Sequence, residues 1–326
     1  MMVYPMPEPI NKPTHNRLID DEPWEAYKRP YVRDLAYVLA CPNILTHWID
    51  FSPDQITHPI AVHNSEFWLA QFQAYQQRLE QLDNTNAYQD LTRYLLSRPS
   101  PNRLGFHFEG LLSFWLEDGF ARGLHAFETL ASNIQLYNDK QTVGELDLIL
   151  YNHVQQQTEH WELAIKFFMG SQPFAPQDWV GINSNDNLQR KMTYMQNKQF
   201  RSVWVDTEDH GRVKIDKRYG VIKGRFFLPV HCTDFTYPDW LEPTFPMHEW
   251  CDINDETTLA HLDKSSLRQA HYIEWFTKRD FYDEHQSLFS LPLGSTGQPP
   301  KAGLYFIEER PLVIYPYVSA SSENKL

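Results

Sequence analysis

The 326-residue sequence is poor in what several protein classes require. It holds three cysteines, Cys41, Cys232 and Cys251, too few and odd in number for a disulfide framework, which fits a reducing, cytoplasmic setting. No run approaches the roughly 18 consecutive apolar residues of a membrane helix, and mean hydropathy is −0.54. The opening stretch MMVYPMPEPINKPTHNRLIDDEP has neither the basic nor the apolar region of a secretory leader. Neither GxxxxGK nor GxGxxG occurs, so the usual phosphate-cradling loops are missing, and no GxSxG nucleophile elbow is found. Internal repeats and long low-complexity tracts are absent too. Nor is there an excess of positive charge: 29 Lys and Arg against 42 Asp and Glu give −13. Such a surface repels a polyanion unless basic residues gather locally.

They do gather. Between Leu188 and Arg225 ten basic residues face four acidic ones, a net +6 within a chain of −13. The rest of the composition, 42% hydrophobic and 14% aromatic, describes a globular protein long enough for a sizeable core and about two folded units. Residues 1–28 read as a Pro-rich arm without periodicity. Three- and four-residue spacing of Val32, Leu35, Ala36, Leu39 and Ala40, and a Ser65-Glu-Phe-Trp opening with Ser65 as cap, predict three helices across a helical region of 29–100. After the break Ser97-Arg-Pro-Ser-Pro, an aromatic-rich amphipathic helix starts at Arg103 and ends near Gly123.

The period then shortens to two. Asn133–Tyr137, Gly144–Tyr151 and His160–Phe168 alternate as strands joined by short polar links, which suggests an antiparallel meander. A helix capped by Asp186 follows, then a β-rich stretch over 201–231. Beyond it, Leu259–Asp280 reads as helical and Ala302–Tyr317 as a hairpin turning at Glu308-Glu-Arg-Pro. The expected class is α/β (α+β), with a core over 101–231 and a C-terminal α+β extension, 232–326, packed on it.

The chemistry-bearing residues are Asp147, Glu162 and Lys166. Alternation puts Glu145 and Asp147 on one face of their strand and Glu162, Ala164 and Lys166 on one face of the next. Buried charges cost several kcal/mol unless paired or metal-bound. Two carboxylates able to hold Mg²⁺ or Mn²⁺, with a lysine beside them, suit phosphodiester hydrolysis. The plainer reading is a cross-strand ion pair between Asp147 and Lys166. His231-Cys232 and His248-x-x-Cys251 lack the Cys-x-x-Cys halves that zinc sites use.

Gly144-Glu-Leu-Asp, a polar turn, then Trp161-Glu-Leu-Ala-Ile-Lys resembles the strand pair of the PD-(D/E)XK nuclease superfamily. The longer pattern, from Arg33-Asp-Leu-Ala through Trp179-Val-Gly-Ile-Asn to Lys223-Gly-Arg-Phe-Phe-Leu-Pro, looks like the bacterial domain of unknown function 1853 family. The nuclease resemblance implies a restriction-endonuclease-like core of helix, three-strand meander, helix and strand, with Glu109 on the first helix as a further acid. It also implies active-site or phosphate contacts from Gln189 and Lys191. Asp147 and Glu162 would then hold the metal with the Ala164 carbonyl, and Lys166 would assist the water. Gln189, Arg190, Lys191, Lys198, Lys214, Lys217, Arg218, Lys223 and Arg225 would form the phosphate track for a DNA or RNA substrate. Related nucleases are frequently dimers, though no dimer signal occurs here. One departure matters: the usual acid two residues before the lysine is Ala164, and Glu162 stands two positions earlier, about 6–7 Å along the strand. Either Glu162 is a migrated ligand or the chain is an inactive nuclease-fold protein that binds nucleic acid or protein.

Overall fold

The computed structural model describes residues 22–51, 58–100, 103–138, 141–182, 186–262, 267–279, 301–307 and 310–317. Most of the arm, and the expected turn residues Glu308 and Glu309, lie outside them. The helical region forms three helices, α1 (Pro30–Ala40), α2 (Ser65–Asn84) and α3 (Tyr88–Ser97), followed by α4 (Leu104–Ala121). α1 is buried along its whole length from Val32 to Leu39 and so forms the axis of the helical layer. The cap of α2 is Asn64, whose side chain accepts the Phe67 N–H at 2.9 Å, and Ser65 is the first helical residue.

Strands β1 (Phe127–Asn138), β2 (Gln141–Asn152) and β3 (Gln157–Gly170) make the antiparallel meander. A short β4 (Trp179–Gly181) lies along the end of β3, and α5 (Leu188–Tyr194) follows, continued by a π-helical turn over Met195–Gln199. A separate hairpin, β5 (Trp204–Thr207) and β6 (Gly211–Lys214), precedes β7 (Lys217–Pro229), which pairs in parallel with β3. The order helix, three strands, helix, strand is therefore present, with β4 and the hairpin inserted.

The extension departs from expectation. Among the described residues of the extension only Glu256–His261 is α-helical (α6); Leu267–Gln269 is a strand, β9, and Tyr272–Trp275 a 3-10 turn. The cause is tertiary: β9 pairs with β10 (Gly303–Ile307), and Glu274 is buried and gripped by Arg268 and the Arg279 N–H, so the local helical pattern is overridden. Strands β8 (Met247–Asp252), β10 and β11 (Arg310–Tyr315) do not pack on the core as a layer. They continue its sheet, in the order β1-β2-β3-β7-β8-β11-β10-β9.

Two features fix the centre of the sheet. Trp68, Trp115 and Trp161, all fully buried, meet with ring centroids 6.1–6.5 Å apart and clamp α2 and α4 to β3. At Gly224 (φ +139°) the backbone of β7 presses against that of β3, and a Cβ there would stand 1.7 Å from the Lys166 carbonyl oxygen. Only glycine fits. A buried polar tie also joins the first helix to the far end of the chain. Asp34 accepts from Arg279 (2.9 and 2.5 Å), Thr277 (2.6 Å) and His107 (2.8 Å).

Candidate active site

β2 and β3 pair from Asn152↔Gln157 as far as Leu148↔Trp161, and then part. One step further on, Asp147 and Glu162 face each other across the opening. Asp147 Oδ2 takes the Leu163 N–H at 2.7 Å, a side chain standing in for the next strand bond. The wedge left by the parting strands receives the π-helical turn, which packs on β2 and sends Gln199 to Glu162. That turn is moored by Gln196, which bonds Trp48 Nε1 at 3.2 Å and Asp50 at 2.9 Å.

The carboxyl groups of Asp147 and Glu162 meet within hydrogen-bonding reach. Burial, then the Glu162 charge, holds Asp147 well above the usual carboxylate range. Burial pushes Glu162 up to about 8, against the opposing pull of Asp147, Lys191 and Gln199. Two like charges this close do not both stay ionised unaided, so the pair keeps a proton between them. Glu109 is raised to about 7, by burial and then by the Asp147 and Glu145 carboxylates. Glu109 of α4 thus lies near enough to feel the charges of the β2 acids, without joining a three-acid cluster.

Glu162 is fully buried and clamped. His160, two residues earlier on the same strand face, places Nε2 3.0 Å from Glu162 Oε2, and Gln199 Nε2 donates to Oε1. Burial drives His160 down to about 3, so its ring is neutral. Its Nδ1, and Gln199 Oε1, have no hydrogen-bond partner among the described residues. Neither residue stood out in the sequence, although His160 shares the alternation that picked out Glu162.

The basic groups are arranged differently from expectation. Lys166 does not pair with Asp147; its Nζ lies 2.5 Å from Asp186 Oδ2. Asp186 is free for this because Asn187, not Asp186, caps α5 by accepting the Arg190 N–H at 2.8 Å. Lys191 approaches the acids from α5. Burial and then Lys166 push it down, while Glu162, Asp147 and Asp186 pull it up. Ala164 lies buried between Glu162 and Lys166, paired with Ile222 of β7.

Three members of the expected phosphate track are interior. Arg218 donates to the carbonyls of Phe200 (2.9 Å) and Ser202 (2.5 Å). Lys223 is fully buried, donates to the Cys41 carbonyl and sits 3.5 Å from the Trp68 ring centroid; burial lowers it to about 7. Arg225 bonds Phe276 O at 2.7 Å and His248 Nε2 at 2.9 Å. All three ride on β7, a central strand covered on both faces, so their charge is unavailable to a ligand. Arg190, Lys198, Lys214 and Lys217 are exposed and Gln189 half-buried.

The donor set suits a hard divalent cation. Mg²⁺ is ordinarily held by one or two carboxylates and completes its shell with water, and the Asp147–Glu162 pair offers that much. A closed metal cage is another matter: among the described residues no three His, Cys, Asp or Glu side chains converge on one point. His231, Cys232, His248 and Cys251 accordingly do not assemble. No helix among the described residues is long and apolar enough to cross a membrane.

No curated protein and no solved structure matches the chain. A family's sequence model does, over residues 33–288, which takes in most of α1, the parting strands, α5 and β7 together. The chain belongs to that family, a domain of unknown function, DUF1853.

Proposed function

We propose that the protein is a divalent-metal-dependent phosphodiesterase acting on nucleic acid. The observation that carries this reading is the pair of carboxyl groups, half-buried Asp147 and fully buried Glu162, facing each other where β2 and β3 part. Asp147 and Glu162, with the Ala164 carbonyl, would hold Mg²⁺ or Mn²⁺. Bound there, the ion polarises a phosphate oxygen and makes water more acidic. Gln199 and His160 hold Glu162 in place, which offsets its displacement from the familiar motif position. Glu109, raised to about 7, is suited to exchange a proton near neutral pH. Lys191 and Lys166 supply the positive charge that an in-line displacement at phosphorus needs.

The test is cleavage of labelled single-stranded, double-stranded and branched DNA and RNA with Mg²⁺ or Mn²⁺, comparing wild type with Asp147→Asn and Lys191→Met. Cleavage by wild type alone supports the reading. Cleavage surviving Asp147→Asn refutes this site. The second reading, an inactive binding module, is favoured by the close Lys166–Asp186 pair, which engages the motif lysine. It predicts binding without cleavage on every substrate.

A further inference from the structure

The acid pair uses only the inner side of α5, yet its outer side is shaped as well. Leu188, Met192 and Met195 face the core, and Lys191 faces the acids. Gln189, Arg190, Thr193, Tyr194, Asn197 and Lys198 line an open groove of about 450 Å³, within the range of small-ligand sites. Tyr194 is 49% exposed there, an aromatic ring left in solvent among polar neighbours. Ten residues on, Trp204 is also 49% exposed, with the Arg212 guanidinium 5.4 Å from its ring centroid. Both rings belong to the segment in which a −13 chain gathers its exposed cations.

Rings presented beside cations suit a ligand that offers flat apolar faces and negative charge together. Nucleic acid does so only when its bases are unstacked, because a duplex hides the faces of its bases and shows their edges. We propose that the outer face of α5 and its π-helical continuation binds single-stranded nucleic acid. A base stacks on Tyr194, and phosphates lie against Arg190 and Lys198. The inference deepens the hydrolytic reading and rests on it for the fate of the strand, though not for the binding.

The experiment uses the full chain in EDTA and follows the anisotropy of fluorescein-labelled oligothymidylate and oligouridylate of about 12 nucleotides, beside a duplex of the same length. Either single strand is expected to bind at least about tenfold more tightly than the duplex, and the stronger of the two identifies the preferred polymer. Tyr194→Ala is expected to weaken binding about tenfold. The Arg190→Gln/Lys198→Gln pair is expected to flatten the log–log salt dependence by about 1.4. Arg93→Gln, an exposed cation on α3, should change neither. Melting curves check that each variant is folded. Equal affinity for the duplex, or an unchanged affinity in folded Tyr194→Ala, overturns the proposal. Adding Mn²⁺ separates the two readings. Single-strand binding with no cleavage leaves this site standing and removes the nuclease; cleavage of duplex without single-strand preference does the reverse.

Discussion

Glu162→Gln should make the protein more stable in the absence of metal and deaf to its addition. The carboxyl is fully buried and raised from 4.5 to about 8. A group that binds more protons folded than unfolded lowers stability as pH rises, here between about 4.5 and 8. At pH 7 the unfolded chain has released the proton and the folded one has largely kept it. The difference is about 2.5 units, or about 3 kcal/mol against folding. Glutamine has the same shape, still accepts from Gln199, and carries no charge. Rearranged bonding to His160 returns part of the gain, leaving about 1–3 kcal/mol. For 326 residues an unfolding entropy of about 0.7 kcal/mol/K turns this into a rise in Tm of about 1–4 °C. Wild type in EDTA should therefore melt below the variant at pH 7, with the gap closing toward pH 5. With Mn²⁺ at about 100 times its Kd, wild type should gain about 2.7 kcal/mol, closing or reversing the gap, while the variant gains far less. Scanning calorimetry in EDTA and in Mn²⁺, at pH 5, 7 and 8, measures all of this. A variant that melts below wild type in EDTA at pH 7, or that gains as much from Mn²⁺, would refute the account of a strained acid pair waiting for a cation.

Asp34→Ala should cost about 3–5 kcal/mol, measured by urea unfolding, because it strands the buried Arg279 guanidinium. Asp34 is depressed to about 2 despite burial, by Arg279 and His107. Its contribution of about 2.5 kcal/mol is thus complete above pH 4 and lost as pH falls through 2, and the variant's acid unfolding should lack that component. Lys223→Met should raise stability by about 1–4 kcal/mol at pH 7, since a lysine lowered to about 7 opposes folding until it is deprotonated. Wild-type stability should accordingly gain from a rise in pH between 7 and 10, and that gain should vanish in the variant. Gly224→Ala should cost more than about 3 kcal/mol or abolish soluble expression, because its Cβ would overlap the Lys166 carbonyl.

What could be read from the chain beforehand followed the range of the forces involved. The meander announced itself because strand alternation is a local pattern, and that same alternation put Glu162 and Asp147 on a shared face. The partners of those residues did not announce themselves. Asp186 looked like a helix cap, and only the fold gives that task to Asn187 and leaves Asp186 to Lys166. Counting charges along 188–225 treated every Lys and Arg as solvated. Arg218, Lys223 and Arg225 lie on a doubly covered strand, and they satisfy backbone carbonyls from segments as distant as Cys41 and Phe276. The helical spacing of Leu259–Asp280 was real but lost to strand bonds supplied by β10, nearly 40 residues later.

The continuity of the sheet past residue 231 governs how the protein can be cut. A fragment ending there would keep every residue of the acid site yet strip β8 from Phe226–Pro229 of β7. A row of apolar, unpaired backbone would then face water, a ready template for other chains. Such a fragment would also lose Thr277 and Arg279 and leave the Asp34 carboxylate buried with His107 alone. Expression boundaries should therefore reach at least Tyr315, and a fragment that came out insoluble when shortened to residue 231 would owe this to the bared edge of β7 rather than to the acid site.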